Sequence, residues 1–358
     1  MPIPDLSYQF VSGNCLLYEE LSYDRDELKR EHDSLVSQLT EYQKYVYDTV
    51  LGDVKCHNGG LYFLYGYGGT SKTFVWKTLS AAIRSKGDIV LNVASSGIAS
   101  LLMPGGRTVH TRFVIPIQIN EDSTCNIAQG SDPAELIIKC KLIIWDEAPM
   151  MHKHLFEALD RTMRDLMRFE NVLSGSLTIG GKTVVLGDDF RQILPVIPKG
   201  SRQDIVGASI NSSYLWNSCK VLRLTKISRL QSVGDVDCRA RTENFANWIA
   251  AIGDGEIGVE DDGHTSIDIP KDNLLQISGD PIEAIVNNTF PMFLTDSFDM
   301  RHLNGRAILA PTLDVINEIN QYMRNLNPMD GKHILVVTVF VTLMHVQIHL
   351  LNYIPWNS

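Results

Sequence analysis

A glycine-rich turn at residues 66–73 carries residue types that bind nucleotide phosphates. It reads Gly-Tyr-Gly-Gly-Thr-Ser-Lys-Thr, follows the apolar run 61–65 and precedes a predicted helical run at 74–83. In such a turn, backbone N–H groups converge on phosphate oxygens, a lysine neutralises the β- and γ-phosphates, and a threonine hydroxyl ligates Mg²⁺. The segment therefore predicts an ATP or GTP site. Its predicted phosphate-binding residues are Gly66, Gly68, Gly69, Thr70, Ser71, Lys72 and Thr73.

One position departs from the usual pattern, which places a glycine immediately before the lysine. This chain has Ser71 there. A Cβ crowds a backbone that needs a positive φ or a close approach to phosphate, so we expect weaker binding or lost turnover. Taken alone, the segment also fits a glycine-rich surface turn. Residues elsewhere in the chain must distinguish this interpretation from a phosphate-binding turn.

Two carboxylates follow a second apolar run, 142–145, which is typical of a buried parallel strand. Phosphate-loop proteins place a metal-binding Asp at such a strand end, and beside it a Glu that can deprotonate water. The pattern predicts Asp146, with Thr73, as Mg²⁺ ligands and Glu147 as the catalytic base. A charged turn after a core strand is the plainer alternative, which the phosphate turn upstream disfavours.

A third apolar run, 182–187, leads into Asp-Asp-Phe-Arg-Gln-Ile-Leu-Pro at 188–195. Gln192 lies just past the predicted strand end, where an amide can contact both the γ-phosphate and the attacking water. We interpret Gln192 as a γ-phosphate sensor; the alternative is a solvated loop residue.

The elements that must position these residues alternate along the chain. Apolar strands at 61–65, 89–94, 142–145 and 183–187 are separated by helical runs, which predicts an α/β fold with a RecA-like parallel sheet flanked by helices. The predicted domains are a helical lead-in at 1–37, with helical character from Glu27 onward, a motor domain at 38–225, a partial second RecA-like domain at 226–332 and an apolar tail at 333–358. In the partial domain we expect a strand at 307–310 and a helix at 313–326.

Composition limits the classes of protein that remain. The chain has 358 residues, 44% hydrophobic and 21% charged, which is ordinary for a soluble globular protein. Its net charge of −10 argues mildly against nucleic acid, although a local groove with a few basic and aromatic residues suffices for a single strand. The six cysteines form no CxxC pair and no zinc spacing, which favours reduced intracellular thiols. The N-terminus does not resemble a secretory signal.

Together these segments resemble the Pif-one-type DNA helicases of superfamily one, in particular the plant branch related to Helitron transposon helicases. The resemblance covers roughly residues 15 to 325. It is carried by Val-Ala-Ser-Ser-Gly-Ile-Ala at 93–99, Gly-Gly-Arg-Thr-Val-His at 105–110, Asp-Glu-Ala-Pro-Met at 146–150, Asp-Phe-Arg-Gln-Ile-Leu-Pro at 189–195, Phe-Ala-Asn-Trp at 245–248 and Arg-Ala-Ile-Leu-Ala-Pro-Thr at 306–312.

The resemblance implies an ATP-dependent 5′-to-3′ DNA helicase with roles in telomere maintenance, repair and recombination. It implies that Gln43 reads adenine, which favours ATP over GTP, and that Lys72, Glu147 and Gln192 serve catalysis. It also implies that Arg229 acts as an arginine finger, although Ile-Ser replaces the usual Asn-Met before it. The loop with Thr108 and His110 resembles a region that contacts single-stranded DNA.

The expected cofactors are ATP and Mg²⁺, and the expected partners are single-stranded and tailed duplex DNA. We expect a monomer without stable membrane association. Because the N-terminus does not resemble a secretory signal, we expect a location in the nucleus or the cytosol. The resemblance favours the nucleus.

The positions at which the chain departs from the family pattern support a second hypothesis. Asp188 stands where the family usually has a second glycine, and its charge repels a triphosphate unless Mg²⁺ or Lys72 screens it. The later family motifs have no counterpart after about residue 325, and residues 333–358 contain no acidic residue, Lys or Arg. This tail looks like a foreign end, such as read-through past a splice site. A β-strand suits it at least as well as a membrane anchor.

An inactive truncated remnant that binds nucleotide or DNA without unwinding is therefore the second hypothesis. A kinase or GTPase is disfavoured, because no lid or base-reading motif of those families is visible in the sequence.

Overall fold

The computed structural model describes residues 13–224, 236–261, 264–277, 279–293, 303, 305–310 and 312–326. The chain divides into two compact units, Met1–Thr242 and Glu243–Ser358. The domain limits predicted from sequence stay predictions.

The α-helices are α1 Cys15–Leu21, α2 Arg25–Ser37, α3 Glu41–Cys56, α4 Lys72–Arg84, α5 Gly97–Leu101, α6 Val109–Phe113, α7 Asp132–Lys139, α8 Lys153–Met167, α9 Arg202–Ala208, α10 Val236–Gly253, α11 Pro281–Thr289 and α12 Leu313–Leu326. The strands are β1 Leu61–Gly66, β2 Ile89–Ala94, β3 Arg107–Thr108, β4 Cys140–Asp146, β5 Thr183–Asp188, β6 Cys219–Leu224, β7 Val259–Asp261 and β8 His264–Ser266.

The first unit is built on a six-stranded parallel sheet in the order β3-β2-β4-β5-β1-β6. The predicted α/β class and all four predicted strands, at β1, β2, β4 and β5, are confirmed. The two edge strands, β3 and β6, were not predicted. β3 has only two residues, and β6 alternates between buried and exposed positions, so neither forms a long apolar run.

Helices cover both faces of this sheet because side chains alternate along each strand. On β1, Leu61 and Phe63 enter the core cluster that also contains Trp145 and Phe156. Tyr62 and Leu64 point to the other side, into a second cluster. That cluster includes the side chains of α3 and α4, among them Val46, Val50, Trp76 and Leu79. Burial on both faces explains why the central strands are almost continuously apolar.

The helix after the phosphate turn begins earlier than predicted. The apolar residues from Phe74 to Ile83 indicated a helix, and α4 extends from Lys72 to Arg84. The first turn of α4 therefore contains both Lys72 and Thr73. The glycine-rich turn lies at its N-terminus, where the helix dipole favours an anion.

The N-terminal helices are attached to the first unit in different ways. In α2, predicted from Glu27 onward, no residue is buried. In α1, Glu20 is buried and accepts hydrogen bonds from Arg84 (2.9 Å) and Arg112 (2.8 Å). A buried carboxylate with two guanidinium partners fixes α1 against the sheet layer.

The second unit has a small core of its own. Its buried members come from α11, α12 and the segments between them: Val286, Phe290, Phe293, Ile308, Ile319 and Met323. The helix predicted at 313–326 is confirmed as α12. The strand predicted at 307–310 is wrong, because these residues pair with no strand in the described part of the chain. Their apolar character is explained by Ile308, which packs into the small core.

Within the described residues, no helix combines the length and the apolar character that crossing a bilayer requires. The predictions for residues 333–358 lie outside the described residues.

Candidate nucleotide-binding site

The glycine-rich turn joins the carboxyl end of β1 to the N-terminus of α4. Gly66 ends β1, and a Cβ at this position would lie 2.6 Å from the Thr70 hydroxyl and 3.2 Å from the Leu224 Cβ. The backbone therefore passes where only glycine fits. Thr70 is buried, and both its N–H (3.2 Å) and its hydroxyl (2.8 Å) donate to the carbonyl of Tyr67. These contacts hold the turn in a tight arc, as a phosphate cradle requires.

Ser71 adopts the left-handed conformation, with φ 61° and ψ 43°, immediately before α4. Gly69 also has a positive φ, of 90°. A residue with a Cβ pays roughly 1–2 kcal/mol for this conformation, and glycine does not. The position thus has the geometry for which the usual pattern supplies a glycine.

Gln43 lies beside the turn on α3. Its side chain accepts from the backbone N–H of Thr40 (3.0 Å) and donates to the carbonyl of Thr70 (3.4 Å). Thr40 in return accepts from the backbone N–H of Gln43, which completes a capping box at the start of α3. Gln43 is therefore a structural link between α3 and the turn, and its contact with adenine stays a prediction.

Asp146 and Glu147 lie at the carboxyl end of β4, on the same edge of the sheet as the turn. Glu147 has φ 55° and ψ 36°, another left-handed residue with a Cβ, and such strain is concentrated at functional sites. Its carboxylate accepts a hydrogen bond from the hydroxyl of Ser96 (2.7 Å), which follows β2. Ser96 therefore positions the predicted base, a role that its place after β2 could have indicated.

Asp188 connects the turn to the predicted sensor. It ends β5, and its Oδ1 lies 3.2 Å from Nζ of Lys72. The same oxygen accepts a hydrogen bond from the side-chain amide of Gln192 (2.8 Å). Lys72 also donates to the carbonyl of Gly66. The structure therefore brings Lys72 and Gln192 together on one buried carboxylate. From the sequence, Asp188 was expected only to repel a triphosphate unless Mg²⁺ or Lys72 screened its charge.

A second contact joins the same two segments. The guanidinium of Arg191 lies 4.7 Å from the ring centroid of Tyr67, a cation–π geometry. Since Tyr67 belongs to the turn and Arg191 precedes Gln192, the turn and the sensor segment are connected at two points.

Burial gives this edge unusual acid–base properties. It raises the pKa of Asp146 and of Glu147, against the opposing charge of Lys72. Burial likewise raises the pKa of Asp188 to about 7, with Lys72 lowering it and the charges of Asp146 and Glu147 raising it further. Three carboxylates therefore interact with one ammonium group.

The residues present fit a magnesium ion. Among the described residues, none donates a hydrogen bond to Oδ1 of Asp146 or to Oδ2 of Asp188, and both atoms are buried. The Trp76 indole lies near enough to affect the pKa of Asp146 but does not reach hydrogen-bond geometry. Mg²⁺ prefers carboxylate and hydroxyl oxygens, and the helix start next to this edge supplies Thr73.

Two other predictions are not confirmed by the described residues. Arg229 lies outside the described residues, so its role as an arginine finger stays a prediction. The segment that resembles a DNA-contacting region was expected to be a loop, but Thr108 ends β3 and His110 lies in α6. The Thr108 hydroxyl pairs with that of Thr111 (2.9 Å), and burial lowers the pKa of His110. In the described part of the chain, no three His, Cys, Asp or Glu residues cluster as a free-standing metal site.

Comparison with known proteins agrees with the fold and the order of these segments. The sequence model of the PIF1-like helicase family matches residues 38–263. The chain is 26% identical over 199 residues to the ATP-dependent DNA helicase Pif1 of Psychrobacter sp. (strain PRwf-1), which is 55% of this chain and 28% of that protein. It is 29% identical over 154 residues to the ATP-dependent DNA helicase PIF4 of Trypanosoma brucei brucei, which is 41% of this chain and 18% of that protein.

Among solved structures, the Pif1 helicase from Bacteroides in complex with ADP-AlF3 and ssDNA is similar over 82% of this chain and 58% of that chain. The identity is 21% and the TM-score is 0.54, so this likeness concerns the fold alone. Against the two sequence relatives, the chain spans less than a third of their length.

Proposed function

Because the chain belongs to the PIF1-like helicase family, we propose that it binds and hydrolyses ATP at the carboxyl edge of its parallel sheet and uses this reaction to unwind DNA. The observation that carries the proposal is the shared contact of Lys72 and Gln192 with Asp188. The proposed phosphate-binding cation and the proposed γ-phosphate sensor thus contact the same carboxylate oxygen. Both groups are therefore close enough to contact one γ-phosphate when it takes the place of that carboxylate.

Each residue of the edge has a distinct task in this proposal. The turn residues from Gly66 to Thr70 surround the phosphates, and Lys72 neutralises the charge that develops on them. Glu147, held by Ser96, orients water and takes its proton; its raised pKa makes it a stronger base than an exposed glutamate.

Thr73 and Asp146 are the groups that would hold Mg²⁺. When bound, this ion screens phosphate charge and favours attack at the γ-phosphate. Gln43, buried on α3 beside the turn, is the proposed adenine contact and favours ATP over GTP.

The coupling to DNA is the less direct part of the proposal. We propose 5′-to-3′ movement on single-stranded and tailed duplex DNA by a monomer, with Arg229 completing the site as an arginine finger. Roles in telomere maintenance, repair and recombination, and a nuclear location, extend the same proposal. Family membership and the resemblance of the segment containing Thr108 and His110 support it.

A second candidate function is nucleotide binding without turnover. Two observations favour it: the strained Ser71 at the phosphate turn and the ion pair that occupies Lys72. Both weaken the interaction of the turn with phosphate, while the fold of the site is preserved.

Steady-state phosphate release, with and without single-stranded DNA, separates the two candidates. We expect DNA-stimulated release from the parent chain and a loss of at least 100-fold in Glu147→Gln, because the amide cannot accept the proton from water. The matched control is Glu135→Gln, an acid on α7 whose side chain contacts Lys139 and Asn14. Release unchanged in Glu147→Gln would reject the assigned base, and nucleotide binding without any release would favour the second candidate.

A further inference from the structure

Asp188 occupies the two groups that a γ-phosphate would need. A single oxygen, Oδ1, contacts the Lys72 ammonium at 3.2 Å and the Gln192 amide at 2.8 Å. The Asp188 side chain is only 3% exposed, so water cannot substitute for these partners. In this arrangement, the carboxylate therefore satisfies the cation and the amide as a bound anion would.

The fold prevents Asp188 from moving away easily. It is the last residue of β5, and its backbone is paired in register with Tyr65 of β1, next to Gly66. A carboxylate at this position remains beside the phosphate turn whether or not a ligand is bound. Phosphate oxygens and the Asp188 carboxylate then compete for the same ammonium group, and they repel each other at short range.

The balance of charge at this edge makes the competition strong. Lys72 is the cation that acts on Asp146, Glu147 and Asp188 alike. Loss of its contact with Asp188 leaves a buried carboxylate whose Oδ2 already lacks a donor among the described residues. Release of Lys72 and Gln192 to a ligand therefore has an energetic cost that a glycine at this position would not impose.

We propose that Asp188 is an affinity-determining residue, an internal anion that holds Lys72 and Gln192 until the phosphates of a nucleotide displace it. This inference rests on the proposed function, because it assigns the phosphates to the same two groups. It concerns the strength of binding and the position of the sensor, and it makes Asp188 a positioning residue whose contacts restrain Gln192.

The test is the dissociation constant of a fluorescent ATP analogue for the full chain, measured with Mg²⁺ and again with EDTA. Asp188→Asn removes the charge and retains the shape, and Asp188→Gly removes the whole side chain. We expect both variants to bind at least about tenfold more tightly than the parent under both conditions. Asp122→Asn, which changes net charge equally at an exposed position, is expected to bind like the parent.

Three outcomes would overturn the inference. If both Asp188 variants bind no more tightly than a binding-competent parent, Asp188 does not compete with phosphate. If they bind more weakly with Mg²⁺ but not with EDTA, Asp188 is a metal ligand instead. If the parent and all variants, each with a cooperative thermal transition, fail to bind, the proposed nucleotide site fails as well. Binding that appears only in the Asp188 variants would support the inference.

A stopped-flow measurement separates positioning from simple loss of charge. If Asp188 restrains Lys72 and Gln192, the association rate of the analogue rises most in Asp188→Gly, in which no side-chain contact has to break first, and less in Asp188→Asn, whose amide oxygen still accepts from both groups. An unchanged association rate in both would contradict the restraint.

Discussion

The two edges of the parallel sheet treat their buried polar groups in opposite ways. At the amino edge, Oδ2 of Asp53 accepts from the Gly60 N–H (2.9 Å) and the Thr183 hydroxyl (2.7 Å). Lys182 there donates to two backbone carbonyls, at 2.6 and 2.8 Å. At the carboxyl edge, Asp146 and Asp188 each have a buried oxygen without a donor among the described residues.

The difference indicates which polar groups stabilise the fold and which serve a ligand. A buried polar group with partners contributes to a unique structure, whereas one without partners costs free energy. Left-handed residues with a Cβ occur near both edges: Ser71 and Glu147 at the carboxyl edge, and His57 and Ile179 just before β1 and β5 at the amino edge. The carboxylate oxygens without a donor therefore mark the carboxyl edge as the binding edge, and the paired groups mark the amino edge as structural.

The largest effect on stability is expected at the amino edge. Asp53→Ala leaves the Gly60 N–H and the Thr183 hydroxyl buried without an acceptor, which lowers the free energy of unfolding by roughly 2–3 kcal/mol. Nucleotide affinity should not change in the folded fraction. Urea unfolding and analogue binding measure the two quantities, and Asp53→Asn, which keeps one acceptor oxygen, should lose less. Weaker nucleotide binding in Asp53→Ala would contradict the assignment of the amino edge to structure alone.

The raised pKa of Asp188 at the carboxyl edge should make the stability of the chain depend on pH. The pKa of Asp188 is raised from 3.8 to about 7 by burial, so the folded chain retains a proton that the unfolded chain loses above about pH 4. Stability from this group is therefore present below about pH 4 and is lost as the pH rises through 7. Relative to Asp188→Asn, the parent should lose free energy of unfolding between these values. Parallel pH curves for the two proteins would contradict the assignment.

Gln43 stabilises the fold through the cap of α3 and is also the proposed adenine contact. A pair of variants separates these two roles. Gln43→Ala and Thr40→Ala each break the capping box of α3, and we expect each to lose about 1 kcal/mol of stability. Only Gln43→Ala should also weaken ATP binding and reduce the preference for ATP over GTP. Equal nucleotide affinities in the two variants would show that Gln43 acts through the helix cap alone.

The smallest effect is expected at Ser71. Ser71→Gly relieves the left-handed conformation and should raise the free energy of unfolding by roughly 0.5–1 kcal/mol, after the entropic cost of glycine. Nucleotide affinity should rise several-fold, because the Cβ leaves the phosphate path. Ser71→Ala retains the Cβ and is the control. If thermal unfolding and binding are the same in the serine, alanine and glycine forms, the turn tolerates a side chain there.

The sequence was sufficient for those features that depend on local pattern. Long apolar runs predicted the four central strands, and the run 74–83 predicted most of α4, which begins two residues earlier, at Lys72. Edge strand β6 was missed because a strand with one exposed face lacks a continuous apolar run. The segment 307–310 has an apolar run but forms no strand, since apolar residues can pack into a core without a pairing partner.

The site was predictable in its members but not in its contacts. Residues 72, 146, 147 and 192 were selected because each follows a strand end or a glycine turn. Parallel strands bring such ends to one edge. That Asp188 would hold both Lys72 and Gln192 depends on the register of β5 with β1 and on side-chain directions. Sequence spacing alone does not contain this information.

The most direct test of the account is whether the carboxyl edge binds nucleotide through Lys72. Equilibrium binding of a fluorescent ATP analogue with Mg²⁺, measured for the parent and for Lys72→Ala, addresses this point. We predict that the parent binds and that Lys72→Ala loses affinity by about 100-fold, because the turn then lacks the ammonium that neutralises the phosphates. Equal affinity of the two proteins would contradict the account, because the nucleotide would then bind elsewhere.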